Sequence, residues 1–251
     1  MAILSEIVGF LDQELGTDSI PDYSGAMNGL QLENLGEVER VVAAVDASLP
    51  VMEAVASQGP ALLLVHHGLF WQGVQKMTGP VYRKWKSAIH ADLAVYSSHI
   101  PLDVHPLWGN NAGLAELVGL HNPMPFFDFK GIQLGLRGTW SGTRDDLVSV
   151  LRDRLETEVH HCPAGPERIG PVGIITGGAG SEVSRVAAEG ITTFITGEGP
   201  HWSYPLAEEL GVNLIYAGHY ATETFGVKRL AAEIGRRFDI EWSFFDHPTG
   251  L

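Results

Sequence analysis

Two stretches of this chain repeat one another without a gap. Val55-Ala56-Ser57-Gln58-Gly59, followed by Leu62-Leu63-Leu64-Val65-His66-His67-Gly68, aligns with Val186-Ala187-Ala188-Glu189-Gly190, followed by Thr193-Phe194-Ile195-Thr196-Gly197-Glu198-Gly199. Downstream, Val95-Tyr96-Ser97-Ser98-His99-x3-Asp103 aligns with Ile215-Tyr216-Ala217-Gly218-His219-x3-Glu223. Chance can give one such match; two in the same order indicate an internal duplication. In each copy a helix ending at glycine runs into a short apolar strand, as in a β-α-β unit with a buried parallel sheet. The expected fold is therefore α/β, with two similar halves, residues 1–123 and 124–251, the second opening on a connector over 124–171. Duplicated units of this kind pack about a pseudo-two-fold axis with equivalent strand ends facing one crevice.

The flanking segments fit that frame. Ile3, Leu4, Ile7, Val8, Phe10, Leu11 and Leu15 recur at helical spacing and Gly16 ends the run. Asn28-Gly29 reads as a turn into a strand, Val41 to Val45 as a buried strand broken by Asp46, and Pro50 as the first turn of a helix. Asn110 and Asn111 are expected to cap a helix, and Thr143 with Asp145 and Asp146 to open another. Residues 121–130 read as a proline-rich joint and 162–171 as a loop.

The polar residues of the repeat fall where strands end: His66, His67, His99 and Asp103 in one copy, Glu198, His219 and Glu223 in the other. Strand residues alternate between faces, so adjacent histidines serve one site only where the backbone turns, and Gly68 provides the turn. Ligands in open α/β sheets sit outside the carboxyl ends of strands. Singly, each of these residues reads equally as a cap or a solvated charge. Together, imidazoles and carboxylates point to a metal site suited to Zn, Mn, Fe or Ni. His219 and Glu223 share a face if 219–223 form a helical turn; Pro101 makes that less secure for His99 and Asp103.

A formal net charge of −14 argues against nucleic acid or an anionic membrane as partner, though bound cations would reverse the local field for a nucleotide. The single cysteine, Cys162, excludes an internal disulfide and suits a reducing compartment. Met1 to Gly16 lacks the basic start of a signal peptide, and no apolar run approaches a membrane span, so the expected location is cytoplasmic.

Five blocks carry a resemblance: Asn28-Gly29-Leu30-Gln31, Val65-His66-His67-Gly68-x-Phe70-Trp71, His99-x-Pro101-Leu102-Asp103-x-His105-x3-Gly109-Asn110-Asn111, Ile195-Thr196-Gly197-Glu198, and Ala217-Gly218-His219-x3-Glu223. In this order they resemble the NGG-interacting-factor-three-like dinuclear metal proteins, often labelled GTP cyclohydrolase I type 2 homologs. The short connector matches the compact members that lack an inserted middle domain. The resemblance implies two α/β halves around a dinuclear site, two divalent ions per subunit and a toroidal homohexamer. It implies metal ligands at His66, His67, Asp103, His219 and Glu223, with His67 and Asp103 on one ion, His66 and His219 on the other, and Glu223 bridging.

With such ligands, a water between two ions would attack a nucleotide-like substrate, as in a GTP cyclohydrolase-like hydrolase. A phosphoesterase and a non-catalytic metal carrier or scaffold ring are the alternatives. Glu198 is the candidate orienting partner or general base, and His99 the candidate proton shuttle, with a structural role for His99 equally open. His105 and His201 are candidates for substrate contact; Phe70, Trp71, Trp108 and Trp202 can stack a base or simply pack. His160-His161-Cys162 has no partner at a metal-ligand spacing. Gly177-Gly178-Ala179-Gly180 has the look of a phosphate loop, but without the lysine of one it reads better as a tight turn.

Overall fold

A computed structural model describes residues 1–251. In chain order the elements are β1 (Ala2–Ile3), α1 (Leu4–Leu15), β2 (Gly29–Leu32), β3 (Glu37–Val38), β4 (Arg40–Asp46), α2 (Leu49–Ala56), β5 (Ala61–His67) and α3 (Gly79–His90). There follow β6 (Leu93–Ser97), α4 (Ile100–Asp103), α5 (Asn110–Val118), β7 (His121–Phe129), β8 (Ile132–Thr139), α6 (Arg144–Leu155), β9 (His160–Pro163) and β10 (Pro171–Ile174). The chain closes with α7 (Val183–Ala188), β11 (Thr193–Thr196), α8 (Ser203–Leu210), β12 (Asn213–Tyr216), α9 (His219–Thr222), α10 (Thr224–Phe238) and β13 (Glu241–Phe244).

Two compact units result: Met1–Leu102 with Gly226–His247, and Asp103–Phe225 with Pro248–Leu251. The expected division at 123/124 differs from this one because α5 packs into the second unit, Leu114 and Val118 against Leu147 and Val172, and because the chain returns. β13 pairs in parallel with β4, Trp242 opposite Val41, which brings the C-terminal segment into the first unit. No local sequence signal marks such a long-range pairing.

The first unit is built on a sheet of order β13-β4-β5-β6-β2. β4, β5 and β6 run parallel, and β2 is antiparallel at the edge of β6. Leu62, Leu63 and Leu64 are fully buried although they alternate between faces. Leu63 and Val65 pack with Val51, Met52 and Val55 of α2 and Ala88 of α3. Burial of each such side chain contributes about 1.5–3 kcal/mol, so the apolar run cannot slip in register without exposing itself.

The second unit repeats this plan in its sheet of order β7-β8-β10-β11-β12-β9. β10, β11 and β12 are parallel, and β9 is antiparallel at the edge of β12, as β2 is on β6. α5 and α6 cover one face through Leu114, Leu147 and Leu151 against Val172, Ile195 and Ile215. α7 and α8 cover the other through Val183, Val186 and Ala207 against Phe194 and Leu214. The duplication is thus visible in topology as well as sequence.

Three local expectations need correction. Residues 121–129 are not a joint but the edge strand β7, paired antiparallel with β8; prolines are tolerated there because an outward N–H has no ladder partner to lose. The first two residues of the loop expected over 162–171 belong instead to edge strand β9, residues 160–163. Asn110 and Asn111 begin α5, but the cap is Gly109 and their side chains make no cap bond. By contrast, Thr143 and Asp146 form a complete capping box on α6. No helix is long and apolar enough to cross a membrane.

Candidate metal centre

In the first unit, β5 ends in His66 and His67, and β6 runs on to His99. One nitrogen from each ring lies within 4.8 Å of the others. The three imidazoles are held from behind through Nδ1. His66 Nδ1 donates to the carbonyl of Ser98 at 2.9 Å, and His66 is completely buried. His67 Nδ1 donates to Asp46 Oδ1 at 2.9 Å. His99 Nδ1 donates to Asp22 Oδ1 at 2.9 Å. An acceptor on Nδ1 fixes the proton there and leaves the Nε2 lone pair for another partner, the arrangement that metal-ligating histidines use.

The residues that build this geometry are spread along the chain. Asp22 accepts from the Ile100 N–H at 3.0 Å and from the Asn28 amide at 2.8 Å, while Asn28 Oδ1 accepts the His99 N–H at 2.8 Å. Burial raises the Asp22 carboxyl, but the bond and charge of His99 together with the Asn28 donor hold it below the ordinary value. Gln31 closes the turn after His67: its Oε1 accepts the Leu69 N–H at 2.6 Å and its amide donates to the Ala26 and Met27 carbonyls at 2.9 Å each. A Cβ at Gly68 would collide with that amide, so a larger residue there would displace Gln31 from the turn.

In the second unit, α9 is the single turn that the spacing required, and it sets His219 Nε2 3.1 Å from Glu223 Oε2. His219 Nδ1 donates to Glu198 Oε1 at 2.8 Å. Burial works against the charged imidazole, but the carboxylates of Glu223 and Glu198 outweigh it and lift His219 to about 9. Asp103 is buried; its Oδ1 accepts from the Asn110 amide at 2.8 Å and from Thr176 Oγ1 at 3.4 Å. Asn111 donates to the Asp103 and Leu134 carbonyls and accepts the Thr176 N–H at 3.0 Å. The two asparagines therefore hold Asp103 and not the helix end.

Gly177 follows Thr176 with φ +70°, and a Cβ there would overlap Glu223 Oε1 and crowd His219 Nε2. Its carbonyl accepts the Gly197 and Glu198 N–H groups at 2.8 and 3.0 Å. The glycine run bends at Gly177 and Gly178 ahead of a 3-10 turn over Gly180–Glu182, and its first residue leaves room for Glu223 and His219. These donors are nitrogen and carboxylate oxygen, buried or half-buried and pre-aimed, so the residues present fit a divalent metal.

Other candidates fall elsewhere. His105 stacks on Trp108 at 4.4 Å and its Nδ1 accepts the Leu107 and Trp108 N–H groups, which makes it a loop cap. His160 and His161 sit on edge strand β9, and Cys162 is buried there with its thiol on the Tyr204 carbonyl. His201 and Trp202 are exposed at the start of α8. Sequence reasoning missed Asp46, Asp22 and Thr176. For Asp46 a signal existed, since a strand-end carboxylate beside a strand-end histidine is what two parallel strands of equal register produce.

The family model described as Duf34/NIF3 (NGG1p interacting factor 3) matches residues 2–249. The chain belongs to the DUF34/NIF3 family. A Deinococcus radiodurans protein named GTP cyclohydrolase 1 type 2 homolog is 41% identical over 249 residues, covering 98% of this chain and 94% of that relative. A Pyrococcus abyssi protein of the same name is 39% identical, covering 98% of both chains. The crystal structure of TTHA1606 from Thermus thermophilus superposes with a TM-score of 0.91 at 33% identity over the full length of both chains. The family's two-part α/β plan is thus the plan of this chain.

Proposed function

We propose that this DUF34/NIF3 member is a homohexameric, metal-dependent hydrolase of a nucleotide-like substrate. In this reading His66, His67, Asp103, His219 and Glu223 bind about two divalent ions per chain. One observation carries it: Nδ1 of every proposed histidine ligand is held by a carboxylate or a carbonyl, which fixes the ring and aims Nε2 away from that anchor. Nitrogen and oxygen donors without a thiolate favour Zn, Mn, Fe or Ni.

When bound, such ions bring the pKa of a water near neutrality and polarise the substrate. The chain's own residues do the rest. Asp46, the Ser98 carbonyl and Glu198 keep the ligand rings in one tautomer and one orientation. Glu198 acts here as an orienting partner, because its Oε1 already accepts from His219. Asp22 holds the proton of His99 on Nδ1, which leaves Nε2 to receive a proton from the reacting centre. A net charge of −14 repels phosphates, so an anionic substrate depends on the bound cations for its attraction.

The name carried by the relatives makes GTP the first substrate to test. Protein stripped with chelator and reloaded with Zn, Mn, Fe or Ni is incubated with GTP and with phosphate esters, and products are resolved chromatographically. Metal-stimulated GTP turnover, abolished in Glu223→Gln, is the expected result. Turnover of phosphate esters alone redirects the reading to a phosphoesterase; reversible metal exchange with no turnover of either makes the protein a carrier or scaffold.

A further inference from the structure

The first unit contains a cavity of about 410 Å³ that none of the proposed metal ligands lines. Its walls come from the loop after His66-His67-Gly68, from α3, and from the segment ahead of β2. Phe70, Trp71 and Trp85 supply aromatic faces, Met27 and Met77 polarisable thioethers, and Ser24 a hydroxyl; no charged residue lines it. The volume lies in the range of small-molecule sites, about 300–1,000 Å³.

Trp71 ties this cavity to the histidines. Its ring meets His99 edge-on at 4.7 Å and His67 edge-on at 5.6 Å. Gly25 passes so close to the Trp71 backbone that a Cβ would lie 3.0 Å from its carbonyl oxygen, which pins the wall in place. The Trp71 indole nitrogen is buried and has no acceptor within the protein. Closed off from solvent, that nitrogen does not open on the cavity, which Trp71 meets through its ring instead.

We infer that this cavity is the subsite for the flat, neutral heteroaromatic part of the substrate, a nucleobase, whose reactive end then lies at the imidazole cluster beyond Trp71. The inference deepens the hydrolase reading and rests on it for the word substrate. The chemistry of the lining selects the occupant. Aromatic faces and thioether sulfur favour a π-system over an aliphatic chain. An uncharged wall excludes the phosphates, which must remain outside, with the cations.

The test uses the full chain and guanosine as probe, with inorganic triphosphate as the comparison. Trp71 and Trp85 report binding through their fluorescence, in both chelator-stripped and metal-loaded protein. Guanosine should quench saturably in both states, because the cavity is made of protein side chains alone, while triphosphate should not quench the stripped protein. Met77→Glu, at a half-exposed position, places a charge in the neutral wall and should weaken guanosine about tenfold with metal content unchanged. Trp85→Leu removes a stacking face and should weaken it by a similar factor. Guanosine that fails to bind either form, or binds both variants as tightly as the wild type, overturns the assignment. GTP turnover without guanosine binding overturns the subsite and spares the hydrolase; guanosine binding without turnover does the reverse.

Discussion

Asp46 Oδ1 accepts the Nδ1 proton of His67 at 2.9 Å, and the two residues are direct partners across the parallel strands β4 and β5. The carboxylate is there because the strands end together. The second unit uses the same scaffold differently. Ala43 pairs with Leu64 and Ile174 with Ile195, positions that the repeat aligns, so Gly177 stands where Asp46 does and Glu198 where His67 does. A proposed ligand imidazole in one unit is replaced by an orienting carboxylate in the other, and the residue that would have oriented it becomes a glycine that makes room for Glu223.

The Asp46 bond gives the first prediction. Asp46→Ala should weaken metal binding about 10–100-fold, the usual effect of losing an orienting partner, while full occupancy returns at saturating metal. A competition titration against a chromophoric chelator reads this. Asp46→Asn, which keeps an acceptor oxygen without the charge, should fall in between.

Metal uptake should release protons. His219 is raised to about 9 by Glu223 and Glu198, so in the metal-free protein it is protonated at pH 7, and a metal at Nε2 must displace that proton. Apparent affinity should therefore rise with pH up to about 9. The raised pKa also means that the stabilisation from these ion pairs is fully present below the unfolded value near 6.5 and is lost as pH rises through 9. Melting of the metal-free protein should accordingly fall between pH 7 and 9.5, and Glu198→Gln should reduce that fall. Calorimetric titration in buffers of different ionisation enthalpy counts the protons.

Gly177 and Gly190 separate backbone strain from steric exclusion. Both have φ in the left-handed region, +70° and +80°, but a Cβ meets nothing at Gly190 and overlaps Glu223 at Gly177. Gly190→Ala should cost about 1 kcal/mol with metal content intact. Gly177→Ala should cost more and lower the metal content as well, as read by thermal melting and elemental analysis of the same samples.

Asn111 is predicted to be a structural keystone of the second unit. Its side chain serves the Asp103 and Leu134 carbonyls and the Thr176 N–H. Asn111→Ala strands these buried groups and should destabilise by about 2–3 kcal/mol. A lower denaturant midpoint at constant m-value reads the effect.

Much of this architecture is legible in the chain. Apolar runs such as Leu62 to Val65 can be buried only between helical layers, and the gapless repeat forces two units of one plan. The strand-end histidines stand out because β5 stops at Gly68. What stayed hidden depends on partners distant in sequence. Asp46 looks like a strand breaker until the register of β4 against β5 is known, and Asp22 reaches His99 across 77 positions of sequence with no local signal. Asn110 and Asn111 have the composition of a helix cap, but Gly109 already ends the preceding turn, and their amides go to Asp103, Asn110 to its buried carboxylate and Asn111 to its main-chain carbonyl. β7 carries two prolines that resemble a joint, and only its place at a sheet edge makes them acceptable.

The most direct test of the metal centre is elemental analysis of the purified protein beside Glu223→Ala, with the native mass recorded on the same samples. About two divalent ions per chain in a six-chain assembly, with at least one ion lost from the variant, is the result the account predicts. A wild-type protein that holds no metal and takes none up on reconstitution, or a variant that keeps the full complement, would contradict it.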